Sequence, residues 1–331
     1  MASIPMIELW RGGRLESLHR GHAVICDAQG GIAEAWGDPG AVIFPRSSCK
    51  MIQALPLMES GAADAAGLTE RHLALACASH NGAHIHTGLV TEWLAHIGQA
   101  EADLRCGPQW PSDVPARDEL IRGGDSPCQI HNNCSGKHTG FLTLNRYLKG
   151  GSEYVEPDHP VQKSVLGAFE EVTGEASPGY GIDGCSAPNF ATSPHGLARA
   201  MAAFAAAGGG GGARDRAMVR LREAMGAHPE LVAGEGTACT ELMCAMGGRV
   251  AVKTGAEAVY VAIVPGKRLG IALKIEDGGT RAAEAGIAAL LVRLGVLEAG
   301  HPVVAKYLTG PMKNRRGIAV GEMRLSTGFG G

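Results

Sequence analysis

Strand-like patterns at both ends of the chain, with helical patterns between them, constrain the fold more than any other feature of this sequence. Residues 6–10, 22–27, 31–36 and 41–44 read as a meander of three or four strands cut by Gly-rich and Asp-containing turns. Residues 250–275 supply further strands, and the run Val259–Val264 is apolar throughout. Neither end alone makes a satisfactory sheet, so the two must pair into one, with the middle of the chain as a helical lobe. The predicted class is therefore α/β, in α+β form. A mainly antiparallel sheet comes from about residues 1–45 and 248–331, and a helical lobe from about 46–247, within a single domain. Helical patterns cover 68–77, 82–97, 138–148, 160–172, 198–207 and 214–225, and an amphipathic stretch over 281–295 is suited to pack on the sheet. The uninterrupted glycines from 208 to 212 read as a flexible surface linker. No Lys-Ser or Lys-Thr pair follows them to make a phosphate loop.

Composition removes several classes of function. A net charge of −3, no basic tract and 5% aromatic residues argue against a nucleic-acid partner. No apolar run is long enough to span a bilayer, and the start of the chain has neither a charged region nor an apolar core of the export type, so the expectation is a cytoplasmic protein away from membranes. Nine cysteines, odd in number and irregularly spaced, read as free thiols in that setting.

Chemistry first shows in the stretch Phe44, Pro45, Arg46, Ser47, Ser48, Cys49, Lys50. A short apolar strand ends at Pro45 and a buried helix follows, so Ser47 and Lys50, three residues apart, share a helix face. A serine hydroxyl is a weak nucleophile until a base takes its proton. A lysine serves as that base when burial or nearby positive charge lowers its pKa. The apolar residues Met51, Ile52, Leu55 and Leu57, with Arg46 and the helix start close by, supply both conditions. Ser47 as a plain N-cap gives the same four letters, so the motif needs company.

That company lies far down the chain, where Lys253, Thr254 and Gly255 form a literal K-T-G at the end of an apolar alternation. S-x-x-K and K-T-G occur together in serine β-lactamases and penicillin-binding proteins. Between them lie Ala78-Ser79-His80-Asn81-Gly82 and Asn133-Cys134-Ser135-Gly136-Lys137-His138, and then Gly181-Ile182-Asp183-Gly184-Cys185. Taken in this order, the five motifs resemble the type II L-asparaginases of the rhizobial kind. These are distinct from the threonine-dependent bacterial enzymes and related in fold to glutaminases and serine β-lactamases. The resemblance covers nearly the whole chain. Cys49 departs from it, standing where a small residue is expected.

The resemblance implies hydrolysis of L-asparagine to L-aspartate and ammonia, with two serine-lysine pairs, Ser47 with Lys50 and Ser79 with Lys253. It also implies one zinc per subunit, held by Cys134, Lys137 and Cys185 with Asp183 close by, and a homodimer. Read from the residues alone, Cys134 and Cys185 match no zinc-finger spacing and pass equally for buried inert thiols. Charge alone nominates Arg46 for the α-carboxylate of an amino acid and Glu235 or Asp183 for its ammonium, while His80, Asn81 and Gly255 enter as substrate-binding candidates with the motifs. Ser47 is the favoured nucleophile, because its lysine sits on the same rigid element. His84 and His86 diverge on a helix and read as polar loop or helix-start residues, and the loop around Trp110 carries no signal. Two other classes use the same residues. A penicillin-interacting acyltransferase, β-lactamase or glutaminase shares Ser47, Lys50 and Lys253, and a non-catalytic amino-acid-binding protein keeps the pocket without needing two lysines aimed at serines.

Overall fold

The computed structural model describes residues 2–330. The strands in chain order are β1 (Ile4–Arg11), β2 (Arg14–Cys26), β3 (Ile32–Trp36), β4 (Tyr180–Ile182), β5 (Pro188–Phe190), β6 (Ala251–Gly255), β7 (Val259–Val264), β8 (Leu269–Ile275), β9 (Pro311–Lys313) and β10 (Ala319–Leu325). The helices that build the architecture are α1 (Lys50–Gln53), α2 (Glu70–Ala76), α3 (His84–His96), α4 (Ser135–Leu148), α5 (Pro160–Thr173), α6 (Pro194–Ala206), α7 (Ala213–Ala227) and α8 (Thr280–Arg293). By packing, the chain divides into two compact units, one of Met1–Ser48, Thr192–Ala206 and Glu241–Gly331, the other of Cys49–Ala191 and Ala207–Thr240.

The first unit is the sheet expected from the two chain ends. Its strand order is β6-β7-β8-β2-β1-β10-β9, with β3 on the far half of β2, and the pairings are antiparallel. The junction of N- and C-terminal segments is the β2–β8 ladder, in register from Gly21↔Ile275 to Cys26↔Gly270. All six residues of β7 are buried, the mark of a strand covered on both faces. Helix α6 lies on one face and α8 on the other. A β-carbon on Gly270 of β8 would stand 2.1 Å from Ala202 N and 2.3 Å from Ala198 O of α6. Leu273, an odd number of residues further along and so on the opposite face, meets Gly286 of α8. The run 41–44 is not a fourth strand. Pro39 and Gly40 before it and Pro45 after it leave room for one bridge only, Ile43 to Thr192. Strands β9 and β10, in a Gly- and Arg-containing tail, carry no clear alternation in the sequence.

The second unit is helical around α4. From Ser135 to Asn145 every residue of α4 is buried, so the helix is enclosed on all sides, packing on α2, α3 and α5. Trp93 of α3 donates its indole N–H to Thr143 of α4 at 3.1 Å. Helix α1, buried at all four positions, packs on α5, and α7 packs on α2. A two-stranded sheet of β4 and β5 carries the Asp183 to Cys185 turn. The glycine run is a turn leading into α7, and among the described residues no helix is long and apolar enough to cross a membrane.

The close approach at Gly270 generates a first prediction. Gly270→Ala pushes a methyl group into the α6 backbone and should cost about 3 kcal/mol, the upper part of the overpacking range. A urea midpoint lowered in Gly270→Ala but unchanged in Gly266→Ala, where nothing lies within 4 Å of the added carbon, is the expected result.

Candidate active site

The site residues fall into two groups, each built within its own unit. In the helical unit Lys50 opens α1 with its side chain 1% exposed. Its amine reaches the carbonyl oxygen of Ala78, Ser79 Oγ at 2.9 Å and Cys134 Sγ at 3.1 Å. One turn into α4, Lys137 is also buried; its Nζ lies 3.1 Å from Cys185 Sγ and over the ring of Phe141. A hydrogen bond joins the two sulfurs and, against burial, holds Cys185 well below the ordinary thiol range, with Lys137 adding to the effect. The same hydrogen bond, with burial, raises Cys134 to about 12. Burial alone would lower Lys137, but the sulfurs of Cys185 and Cys134 outweigh it and raise the ammonium. Asp183, half-buried, accepts from the backbone N–H of Gly184 at 2.8 Å and adds its charge to the same cluster. Cys49 is a buried thiol pushed up to about 12 by burial, an inert neighbour.

The Ser79 segment is fixed from both sides by backbone bonds, Ser79 N to Val232 O at 2.9 Å and His80 N to Asn133 O at 3.1 Å. His80, a substrate-binding candidate in the sequence, is turned inward behind Ser79. The ring is 2% exposed, its Nδ1 accepts from Gly82 N at 3.2 Å, and its Nε2 bonds Ser135 Oγ at 2.9 Å. With Nδ1 accepting, Nε2 carries the proton and donates, and Ser135 passes its own to Ile130 O. Burial first, then His86 and Lys50, hold His80 well below the ordinary histidine value. His80 is therefore a neutral strut behind Ser79. His86 stacks on it with centroids 4.8 Å apart, while His84 pairs with Glu119 in solvent, so the two histidines diverge as their spacing requires. Asn81, half-buried, accepts from Ala83 N and bonds Asp113. A β-carbon on Gly234 would lie 2.3 Å from the Asn81 side chain, and the next residue, Glu235, is exposed.

In the sheet unit Arg46 takes a left-handed backbone (φ 52°), which turns the chain into the 3-10 segment bearing Ser47. Gly255 closes on that turn. A β-carbon there would lie 2.5 Å from Pro45 O, 2.9 Å from Ser48 N and 3.3 Å from Ser47 N, so only glycine fits. Two residues earlier on β6, and so on the same face, Lys253 is fully buried and its amine donates to Thr254 O at 2.8 Å. The Lys50 to Ser79 bond was not anticipated; spacing relates residues along one element, whereas this contact is made by the reach of a lysine across a loop. Ser135, which holds His80, was also missed, although it lies inside the Cys134 motif. A cavity of about 810 Å³ among Ala66, His96, Gly98 and Arg146 includes none of these residues.

Cys134, Lys137 and Cys185 converge as two touching sulfurs and one amine, a soft donor set that suits zinc once the lysine loses its proton. Among the described residues no group of three or more His, Cys, Asp or Glu is placed to hold a metal, so the lysine is needed to complete the set.

An antiparallel sheet covered on both faces, with lysine amines buried against serine and cysteine in a helical unit, defines a mixed α/β protein with the charged, desolvated cluster that enzymes keep. Residues 7–325 match the L-asparaginase II family; the chain belongs to it and is an L-asparaginase-type amidohydrolase. Similar solved structures include a β-lactamase from Mycobacterium bovis, with 12% identity, 84% of this chain and 95% of that one covered, and a TM-score of 0.45. A protein titled Mglu shows 12% identity over 83% of this chain and 64% of its own length, with a TM-score of 0.43. An octameric penicillin-binding protein homologue from Pyrococcus abyssi shows 13% identity over 90% of this chain and 80% of its own, with a TM-score of 0.36. Comparison with curated protein sequences gives no match.

His80 yields a pH prediction. Its folded pKa is depressed, so below about 6.5 the unfolded chain takes up a proton that the folded state refuses, and acid favours unfolding. The urea midpoint should fall as pH drops below that value, and less steeply in His80→Gln.

Proposed function

We propose that this protein hydrolyses L-asparagine to L-aspartate and ammonia with a serine nucleophile and a lysine base. The observation that carries the reading is the hydrogen bond of Lys50 Nζ to Ser79 Oγ, at 2.9 Å, in a chain of the L-asparaginase II family. In its neutral form, the one that acts as a base, a lysine amine has two protons and one lone pair. Its two protons go to acceptors among the Ala78 carbonyl, Ser79 Oγ and Cys134 Sγ, and the lone pair is left for the proton of the nucleophile. Ser47, three residues before Lys50, is the proposed nucleophile. Its proton passes to Lys50 as its oxygen attacks the side-chain carboxamide carbon, and Ser79 relays that proton to the leaving ammonia. Water repeats the cycle in reverse and frees L-aspartate. Lys253, on the strand face that closes on the Ser47 turn, is the proposed second lysine. Arg46 is assigned to the α-carboxylate and Asn81, Asp183 and Glu235 to the ammonium end.

Zinc, one per subunit, is assigned to Cys134, Lys137 and Cys185. When bound, it supplies a positive charge beside the substrate that orients or polarises it. The proton steps above use this chain's own groups. A homodimer is assigned on the resemblance of the five motifs, and sedimentation gives the subunit number directly.

Four measurements test the reading. Purified protein should release ammonia from L-asparagine roughly 10 to 200-fold faster than from L-glutamine, the discrimination that one methylene provides; equal rates point to a glutaminase, and acylation by a penicillin with no ammonia release points to the β-lactam class. Ser47→Ala, Lys50→Ala and the double variant should fall to a similar residual rate, because members of one catalytic unit are not additive. After acid quench with a slow substrate analogue, the covalent adduct should map to the peptide of Ser47; an adduct on Ser79 would make that serine the nucleophile. Protein prepared without chelator should contain near-stoichiometric zinc by elemental analysis, and Cys134→Ala should lose it with its circular dichroism unchanged. Metal-free native protein refutes the zinc assignment.

A further inference from the structure

The loop between Cys106 and Asp113 is tied to the Ser79 and Cys134 motifs at Cys106, Gly107, Gln109, Pro111 and Asp113. Asn132 Nδ2 donates to the carbonyls of Cys106 and Gly107 at 2.9 and 3.0 Å. The backbone N–H of Asn133, whose carbonyl accepts from His80, donates to Gln109 Oε1 at 3.2 Å. Pro111 is buried against Gly82, where a β-carbon would lie 3.0 Å from its own, and Asp113 N donates to Asn81 O at 2.9 Å. Asp113 then caps the next helix by accepting from Ala116 N.

Trp110 lies outside these ties. Held between Gln109 and Pro111, it is 47% exposed. The other three tryptophans are engaged: Trp10 with Glu8 and Arg324, Trp36 with Phe329 and Arg293, and Trp93 with His72 and Thr143. Among the described residues Trp110 has neither a hydrogen bond nor a ring contact. A rigid loop thus holds a bare indole beside the segment that carries Ser79 and Asn81. Asp113 bonds Asn81, and Glu235 follows the glycine that packs on it, so the charges around Asn81 are negative. The face of an indole attracts cations in the same way as those carboxylates do.

We propose that Trp110 is a substrate-binding residue, the outer wall of the subsite that takes the α-ammonium end of the amino acid. This rests on the reading of the protein as an asparagine amidohydrolase. The ring meets the substrate as it enters, covers the ammonium and shields it from water, and acts on binding rather than on the chemical step.

The test uses the whole protein. In Trp110→Ala the KM for L-asparagine should rise about tenfold, the value of a desolvated cation–π contact, with kcat changed less than about twofold. Trp110→Phe should recover most of the loss. Saturation with L-aspartate should shift tryptophan emission and protect it from acrylamide in the wild type, and do neither in Trp110→Phe. An unchanged KM in Trp110→Ala, or emission that ignores L-aspartate, overturns the assignment. So does a Trp110→Ala protein that loses a subunit on sedimentation while its KM stays put, since the indole then belongs to an interface. Failure of the wild type to release ammonia from L-asparagine defeats the reaction assigned above. Ammonia release with an indifferent Trp110 defeats this inference alone.

Discussion

Burial of lysine sets the terms for this site. The side chains of Lys50, Lys137 and Lys253 are 1%, 3% and 0% exposed, and an amine out of water is tolerated only where hydrogen-bond partners surround it. For Lys50 these are a main-chain carbonyl, a serine hydroxyl and a cysteine; for Lys137, a cysteine and the face of a phenyl ring; for Lys253, a carbonyl of its own strand. Leaving a buried polar group without its partner costs about 1–3 kcal/mol, and more when it is charged. The polypeptide around each amine is therefore held in place by the amine as much as the reverse. The Ala78 to Asn81 segment shows the effect, with its carbonyl on Lys50, its amides on Val232 and Asn133, and its histidine wedged against Ser135.

Polar burial of this kind carries a stability cost that the apolar scaffold offsets. The enclosed helix α4 supplies Lys137 and Ser135 from the same turn, and the fully buried β7 anchors the sheet whose neighbouring strand carries Lys253. Both polar groups thus stand on rigid elements, where a site is held more closely than on loops. Gly255 adds a steric condition, since its bare backbone lets β6 come within contact of the Ser47 turn.

Much of this was legible in the sequence because it depends on local pattern. The apolar alternation ahead of Lys253, the apolar run of β7 and the N-terminal meander gave a sheet drawn from both ends, and the helices over 160–172 and 214–225 begin and end within two residues of their structural limits. Patterns fail where a contact depends on side-chain reach or on which layer an element joins. The alanine-rich helix α6 reads like the lobe around it, yet packs with the sheet, because small side chains suit close approach to Gly270 as well as they suit a bundle. His80 entered as a substrate-binding candidate with its motif; only its two internal hydrogen bonds show that both nitrogens are taken. Conversely, the convergence of Cys134, Lys137 and Cys185, 51 residues apart from first to last, has no local signature at all.

The β2–β8 ladder joins residues about 250 positions apart, Gly21 to Ile275, and this bears on how the chain is made. During synthesis β1, β2 and β3 emerge first and pair with one another, but the far edge of β2, carrying Ala23, Val24, Ile25 and Cys26, has no strand to meet until most of the protein has left the ribosome. At about 5–20 residues per second that interval lasts tens of seconds, with an apolar edge open to any other extended chain. The helical unit, whose residues lie almost wholly between, is complete before the sheet is. Such a nascent chain is a natural client for a chaperone that shields strand edges.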